Sequence, residues 1–203
     1  MSQHNDRRRF SAQDASFLYM ERPEAPLHIG SVAIFDGAVP YERFVQNIAS
    51  KIHLIPRYQQ RAVPAPFNIG HPTWEWDPDF DLHRHVMRAK LDPPGTEAQL
   101  MELSARLFEG MLDRNKPLWE IYQVEGLEGN RTAMVSKVHH CLVDGVSGIE
   151  LLMIVLDVSS NPAPPPPPAV VEPHPPIPPA PTRFIEPSPA DTRWPHLSKP
   201  HFS

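Results

Sequence analysis

The stretch Arg131-Thr132-Ala133-Met134-Val135-Ser136-Lys137-Val138 runs directly into His139-His140-Cys141-Leu142-Val143-Asp144-Gly145. Its first eight residues predict a strand entering a sheet, and Asp144-Gly145 is a turn signal. Gly145-Val146-Ser147-Gly148, followed by Ile149-Glu150-Leu151-Leu152, predicts a turn that opens a helix. Two imidazoles therefore stand at a strand-to-helix junction. Histidine is the side chain whose ordinary pKa lies near neutrality, so this pair is a candidate general-base site.

Outward from that strand, Leu118 to Val124 predicts a partner strand, joined to it by a hairpin at Gly126 to Asn130. Upstream, Thr96-Glu97-Ala98-Gln99 is a capping box, and Leu100, Leu103, Leu107 and Met111 continue an apolar stripe, which predicts a helix from about Thr96 to Leu112. Residues 54 to 95 are rich in Pro, Trp and His without a sustained period and predict short strands and loops over one sheet edge. Tyr41, Phe44, Val45, Ile48 and Ile52 fall at helical spacing after Pro40. Ile29 to Phe35 is a β-branched run ended by Asp36-Gly37, a buried strand. A second capping box, Ser147-Gly148-Ile149-Glu150, predicts a helix to about Val158 whose positive end would favour neutral imidazole. The expected class is α/β, a mixed sheet with helices.

Composition limits the rest. A chain of 203 residues with 40% hydrophobic content supports one substantial core plus a tail. A net charge of -5 argues against nucleic acid as partner, and the one basic run, Arg7-Arg8-Arg9, reads as a solvated end or an attraction to anionic lipid. Cys141 is the single cysteine, which suits a reducing cytosol and excludes an internal disulfide. No window approaches the roughly 20 apolar residues that span a bilayer, so membrane contact is expected to be peripheral. Of 27 prolines, 16 lie beyond Ser160, which forbids helix or central strand there. The expected organisation is a polar N-terminus over 1–10, a folded domain over 11–160, and a proline-rich linker or tail over 161–203.

His139-His140 with Asp144-Gly145 forms the pattern His-His-x-x-x-Asp-Gly, similar to the signature of chloramphenicol acetyltransferase-type acyltransferases and of nonribosomal peptide synthetase condensation domains. Three further stretches narrow the resemblance: Asp14-Ala15-Ser16-Phe17-Leu18-Tyr19 leading to Pro26-Leu27-His28-Ile29-Gly30, then Asp77-Pro78-Asp79-Phe80-Asp81-Leu82, then Pro117-Leu118-Trp119-Glu120. In this order, from about Ser11 to about Val158, they resemble the bacterial wax ester synthase/acyl-CoA:diacylglycerol acyltransferase family. The resemblance implies an α+β two-layer, chloramphenicol acetyltransferase-like half-domain. It also implies transfer of a long acyl chain from acyl-CoA, as substrate and with no cofactor, to diacylglycerol (triacylglycerol biosynthesis) or a fatty alcohol.

By resemblance His140 is the base and His139 supports it. Asp144 either orients the imidazole or holds the loop in shape; the resemblance favours the structural role. Gly145 supplies the turn. An acyl-enzyme through Cys141 is disfavoured, because strand alternation turns that residue to the opposite face. His83-x-His85 and His139-His140 lack the third ligand and spacing of a zinc site, so no metal is expected, and His83 and His85 read as surface residues. Trp74, Trp76 and Trp119 read as core. The proline-rich stretch lies where the family's linker to a second half begins, and that half is expected to be absent. A truncated inactive fragment, a lipid- or partner-binding remnant, self-association, and condensation-like transfer are the rival expectations, with a cytoplasmic or lipid-surface location.

Overall fold

The computed structural model describes residues 9–143. Asp144, Gly145, the helix expected over Ser147–Val158, residues 1–8 and the proline-rich segment lie outside the described residues.

The chain opens with α1 (Ala12–Met20), whose N-terminal amides are capped by Ser11: its hydroxyl accepts the Asp14 N–H at 3.0 Å. Ala15 and Leu18 form its buried side. β1 (His28–Phe35) follows, then α2 (Tyr41–Lys51), which buries Phe44, Val45 and Ile48 as the periodicity requires. Two short antiparallel strands, β2 (Gln60–Val63) and β3 (Thr73–Trp76), pair with each other. β4 (Val86–Lys90) then leads through α3 (Glu97–Glu109) to β5 (Trp119–Leu127) and β6 (Arg131–His139).

The larger sheet has the order β1-β6-β5-β4. β6 is antiparallel to both neighbours, whereas β4 and β5 are parallel, the arrangement that a helical crossover such as α3 permits. The β5–β6 register shifts between Val124 and Leu127, where Gly126 takes φ +85°. Along β6, alternation sorts the core in two. Met134 and Val138 join Leu18, Ile48, Trp74, Trp119 and Ile121 in one cluster; Ala133 and Val135 join Leu100, Val124 and Leu127 in another, against Leu103, Leu107 and Phe108 of α3.

Three expectations need correction. β1 is a strand but not a buried one: among the described residues it stands at the sheet edge, none of its residues is buried, and Ile29 and Ile34 are exposed. α3 has the full capping box at Thr96 and Gln99 but stops at Glu109 rather than Leu112. Gly110 is extended, and the Lys137 ammonium donates to the carbonyls of Leu107 (3.0 Å) and Gly110, taking up acceptors that another helical turn would have used. His85 is not a surface residue: it is 1% exposed, stacked between Phe80 and Trp119, with Nδ1 2.9 Å from the Trp119 carbonyl. His83 is exposed, as expected, and Trp74 and Trp119 are core while Trp76 is half-buried.

Candidate active site

The strand ends at His139 and the chain turns at once into a single 3-10 turn, His140–Leu142. The two histidines therefore meet different surroundings. His139 has 0% exposure; its Nδ1 accepts the Cys141 N–H at 3.1 Å, and its Nε2 lies 3.4 Å from Glu21 Oε2. A nitrogen that accepts a hydrogen bond carries no proton, so the neutral ring is protonated on Nε2, toward the carboxylate. At 3.4 Å that contact is electrostatic proximity rather than a well-formed hydrogen bond.

His140 is half-buried and stacked on Phe17, with ring centroids 4.4 Å apart and planes 19° from parallel. Its Nδ1 is buried without a hydrogen-bond partner among the described residues. Its backbone N–H donates to the Leu27 carbonyl at 2.9 Å. Of the motifs read from the sequence, the segments 14–19 and 26–30 thus meet at the histidine pair, through Phe17 and Leu27. Segments 77–82 and 117–120 meet instead in the Phe80–His85–Trp119 stack.

Sequence reasoning missed Glu21 and Arg114. Arg114 donates through Nε (3.3 Å) and Nη2 (2.8 Å) to Glu21 Oε2, and through Nη2 to the Leu18 carbonyl at 2.8 Å. Glu21 Oε1 accepts the Leu27 N–H at 3.1 Å. Burial alone would raise the Glu21 pKa, but the contacts with His139 and Arg114 and the Leu27 N–H outweigh it and bring the carboxyl down to about 2. The pair is separated by 93 residues, so no local pattern announced it.

His28 stands opposite His139 in the β1–β6 register, and burial, with the nearby Lys137 charge, lowers its pKa. Cys141 is 4% exposed, and burial, aided by the negative charges of Asp14 and Glu21, drives its thiol well above the ordinary range. Among the described residues, no group of three or more His, Cys, Asp or Glu is placed to hold a metal ion.

The mixed sheet with its helices defines a class of fold that other solved structures share. The starter condensation domain of rhizomide synthetase RzmA shares this fold, with a TM-score of 0.59 at 13% identity over 73% of this chain and 37% of that one. The wax ester synthase/diacylglycerol acyltransferase from Marinobacter aquaeolei VT8 also superposes with a TM-score of 0.59, at 28% identity over 71% of this chain and 37% of that one. The family model described as the wax ester synthase/diacylglycerol acyltransferase catalytic domain matches residues 10–188, and the chain belongs to that family.

Curated relatives include the probable diacylglycerol O-acyltransferase tgs1 of Mycobacterium tuberculosis, 42% identical over 151 residues that cover 73% of this chain and 33% of the relative. The probable diacylglycerol O-acyltransferase tgs3 of the same organism is 38% identical over 157 residues, 76% of this chain and 58% of the relative. The chain thus spans about a third of the one and somewhat over half of the other.

Proposed function

We propose that this chain carries the general base of an O-acyltransferase that moves a long acyl group from acyl-CoA to diacylglycerol or a long-chain alcohol. The observation that carries the reading is the division of labour in the histidine pair. His139 has no exposure, its Nδ1 accepts the Cys141 N–H and its Nε2 faces Glu21 from 3.4 Å, so it cannot collect a substrate proton. His140 is half-buried and held by ring stacking on Phe17 and a backbone hydrogen bond; its Nδ1 is buried, which leaves Nε2 as the nitrogen to meet a substrate hydroxyl.

In the reaction, His140 takes the hydroxyl proton as the alcohol oxygen attacks the thioester carbonyl carbon. The tetrahedral intermediate collapses with cleavage of the C–S bond, and the imidazolium returns the proton to the CoA sulfur. A thiolate route through Cys141 is opposed by its burial and raised pKa. Asp144 and Gly145 lie outside the described residues; for them the proposal keeps the structural or orienting role and the turn role that the resemblance implies. Relatives named as diacylglycerol O-acyltransferases at 38–42% identity favour this chemistry over condensation-type transfer, where the likeness is one of fold. A starter condensation domain of that fold is known in complex with C8-CoA, which fits an acyl-CoA donor.

No helix among the described residues is long and apolar enough to cross a membrane. Contact with a lipid surface is proposed as peripheral, supported by Phe67 and Ile69, which stand 85% and 82% exposed between β2 and β3. The test is thiol release from palmitoyl-CoA with diacylglycerol or hexadecanol, comparing the chain with His140→Ala. Acceptor-dependent release that disappears in the variant is expected. Release that survives in folded His140→Ala would overturn His140 as base, and no release from a folded wild type would remove the stand-alone enzyme and leave a lipid-binding role.

A further inference from the structure

We propose that Glu21 is the positioning residue of the histidine pair, acting through His139 on one side of His140 and through the Leu27 peptide on the other. The inference rests on the reading of His140 as base for its consequence in catalysis, but the geometry stands without it. Both carboxylate oxygens are committed. Oε1 accepts the Leu27 N–H at 3.1 Å, and the carbonyl of that same residue accepts the His140 N–H at 2.9 Å. Oε2 takes the two Arg114 donors and faces His139 Nε2. The far nitrogen of that ring, Nδ1, in turn accepts the N–H of Cys141, the residue after His140.

The peptides on either side of His140 are therefore pinned by two arms that converge on one carboxylate. A buried anion is costly to desolvate unless its lone pairs are filled. The Glu21 side chain is 1% exposed and the Arg114 side chain 14%, so the charge is held by named partners rather than by water. A carboxylate behind a histidine sets which nitrogen bears the proton and which way the ring points. Here the carboxylate faces Nε2 of the neighbour of the base from 3.4 Å, and the backbone transmits the constraint.

Three measurements on the 203-residue chain test the assignment. Nitrogen-15 NMR of the imidazoles should find His139 in the Nε2–H form; an Nδ1–H form would overturn the proposal outright. Amide hydrogen exchange should show the His140 and Cys141 protons at least 10-fold less protected in Glu21→Gln, which keeps shape but not charge, with Ala133 and Val135 unchanged. Glu21→Asp keeps the charge and the Arg114 partner with a shorter reach; it should lose protection in the same direction and by less, and it carries the test if Glu21→Gln does not fold. Protection within two-fold of wild type in the folded variants would overturn the proposal. In the acyl-transfer assay the same variants should lower kcat at least 10-fold with KM within two-fold; a rise in KM alone, with kcat unchanged, would also overturn it. If wild type shows no transfer, the catalytic reading fails, while the NMR and exchange measurements still decide the role of Glu21.

Discussion

Replacing each histidine of the pair by alanine should produce opposite signatures. In His139→Ala the buried Cys141 N–H loses its acceptor, which costs about 1–3 kcal/mol. Removing a ring at 0% exposure also leaves a cavity, which adds about 2 kcal/mol at the low end of the large-to-small range. The sum, about 3–5 kcal/mol, is a large part of the 5–15 kcal/mol typical of a folded domain. Glu21 keeps Arg114 and Leu27, so no uncompensated charge is added. In His140→Ala the loss is the stack on Phe17, about 0.5–1.5 kcal/mol; each substitution also removes one buried ring nitrogen without a hydrogen-bond partner among the described residues, Nε2 in His139 and Nδ1 in His140, so that contribution cancels in the comparison. The expected gap is at least about 1.5 kcal/mol. With a urea m-value of about 1–3 kcal/mol/M, His139→Ala should unfold roughly 1 M earlier than His140→Ala. Acyl transfer, by contrast, should vanish in His140→Ala while its melting curve stays near that of wild type. Equal midpoints, or His140→Ala the less stable, would refute the division of labour between the two rings.

Two further outcomes follow from positions away from the pair. Gly37 and Gly95 both have left-handed backbones, φ +90° and +72°, but a Cβ on Gly37 meets nothing within 4 Å, whereas on Gly95 it would lie 1.8 Å from the Gly126 carbonyl oxygen. Gly37→Ala should cost about 1–2 kcal/mol, and Gly95→Ala at least about 2 kcal/mol more in the same denaturation assay; equal costs would contradict the backbone contact. His85 is buried neutral, its pKa lowered by desolvation despite the bond to the Trp119 carbonyl. The unfolded chain therefore binds the proton first: the stability this group contributes is present above about pH 6.5 and is lost as pH falls. His85→Gln should be less stable at pH 7 yet show a shallower decline between pH 7 and pH 5, and a decline as steep as wild type would refute it.

β6, α3 and β1 were legible because each carries its own local signal: alternation leading to the histidines in β6, a capping box in α3, and a β-branched run closed by Asp36-Gly37 in β1. α1 went unread although Ser11 and Asp14 are spaced as a helix start. Of the site, the histidine pair was visible as a motif. Its supports were not, because Glu21 and Arg114 acquire meaning only when a strand end and a helix end are brought together in space. His85 was misread for the same reason. Its sequence neighbours Asp81, His83 and Arg84 are polar, and its burial depends on Trp119, 34 residues away.

The clamp on Leu27 also bears on how the protein assembles. Loop-closure entropy must be spent before contacts between distant segments return any stability, so pairings such as Leu27 with His140 and Glu21 with Arg114 belong to the slow, non-local part of folding. The β5–β6 hairpin needs no such closure. The strand that presents the histidines can thus form early, and on the proposed role of His140 the docking of residues 11–28 becomes the step that would make the site competent. Local opening of that N-terminal segment would switch the site off while leaving the sheet intact.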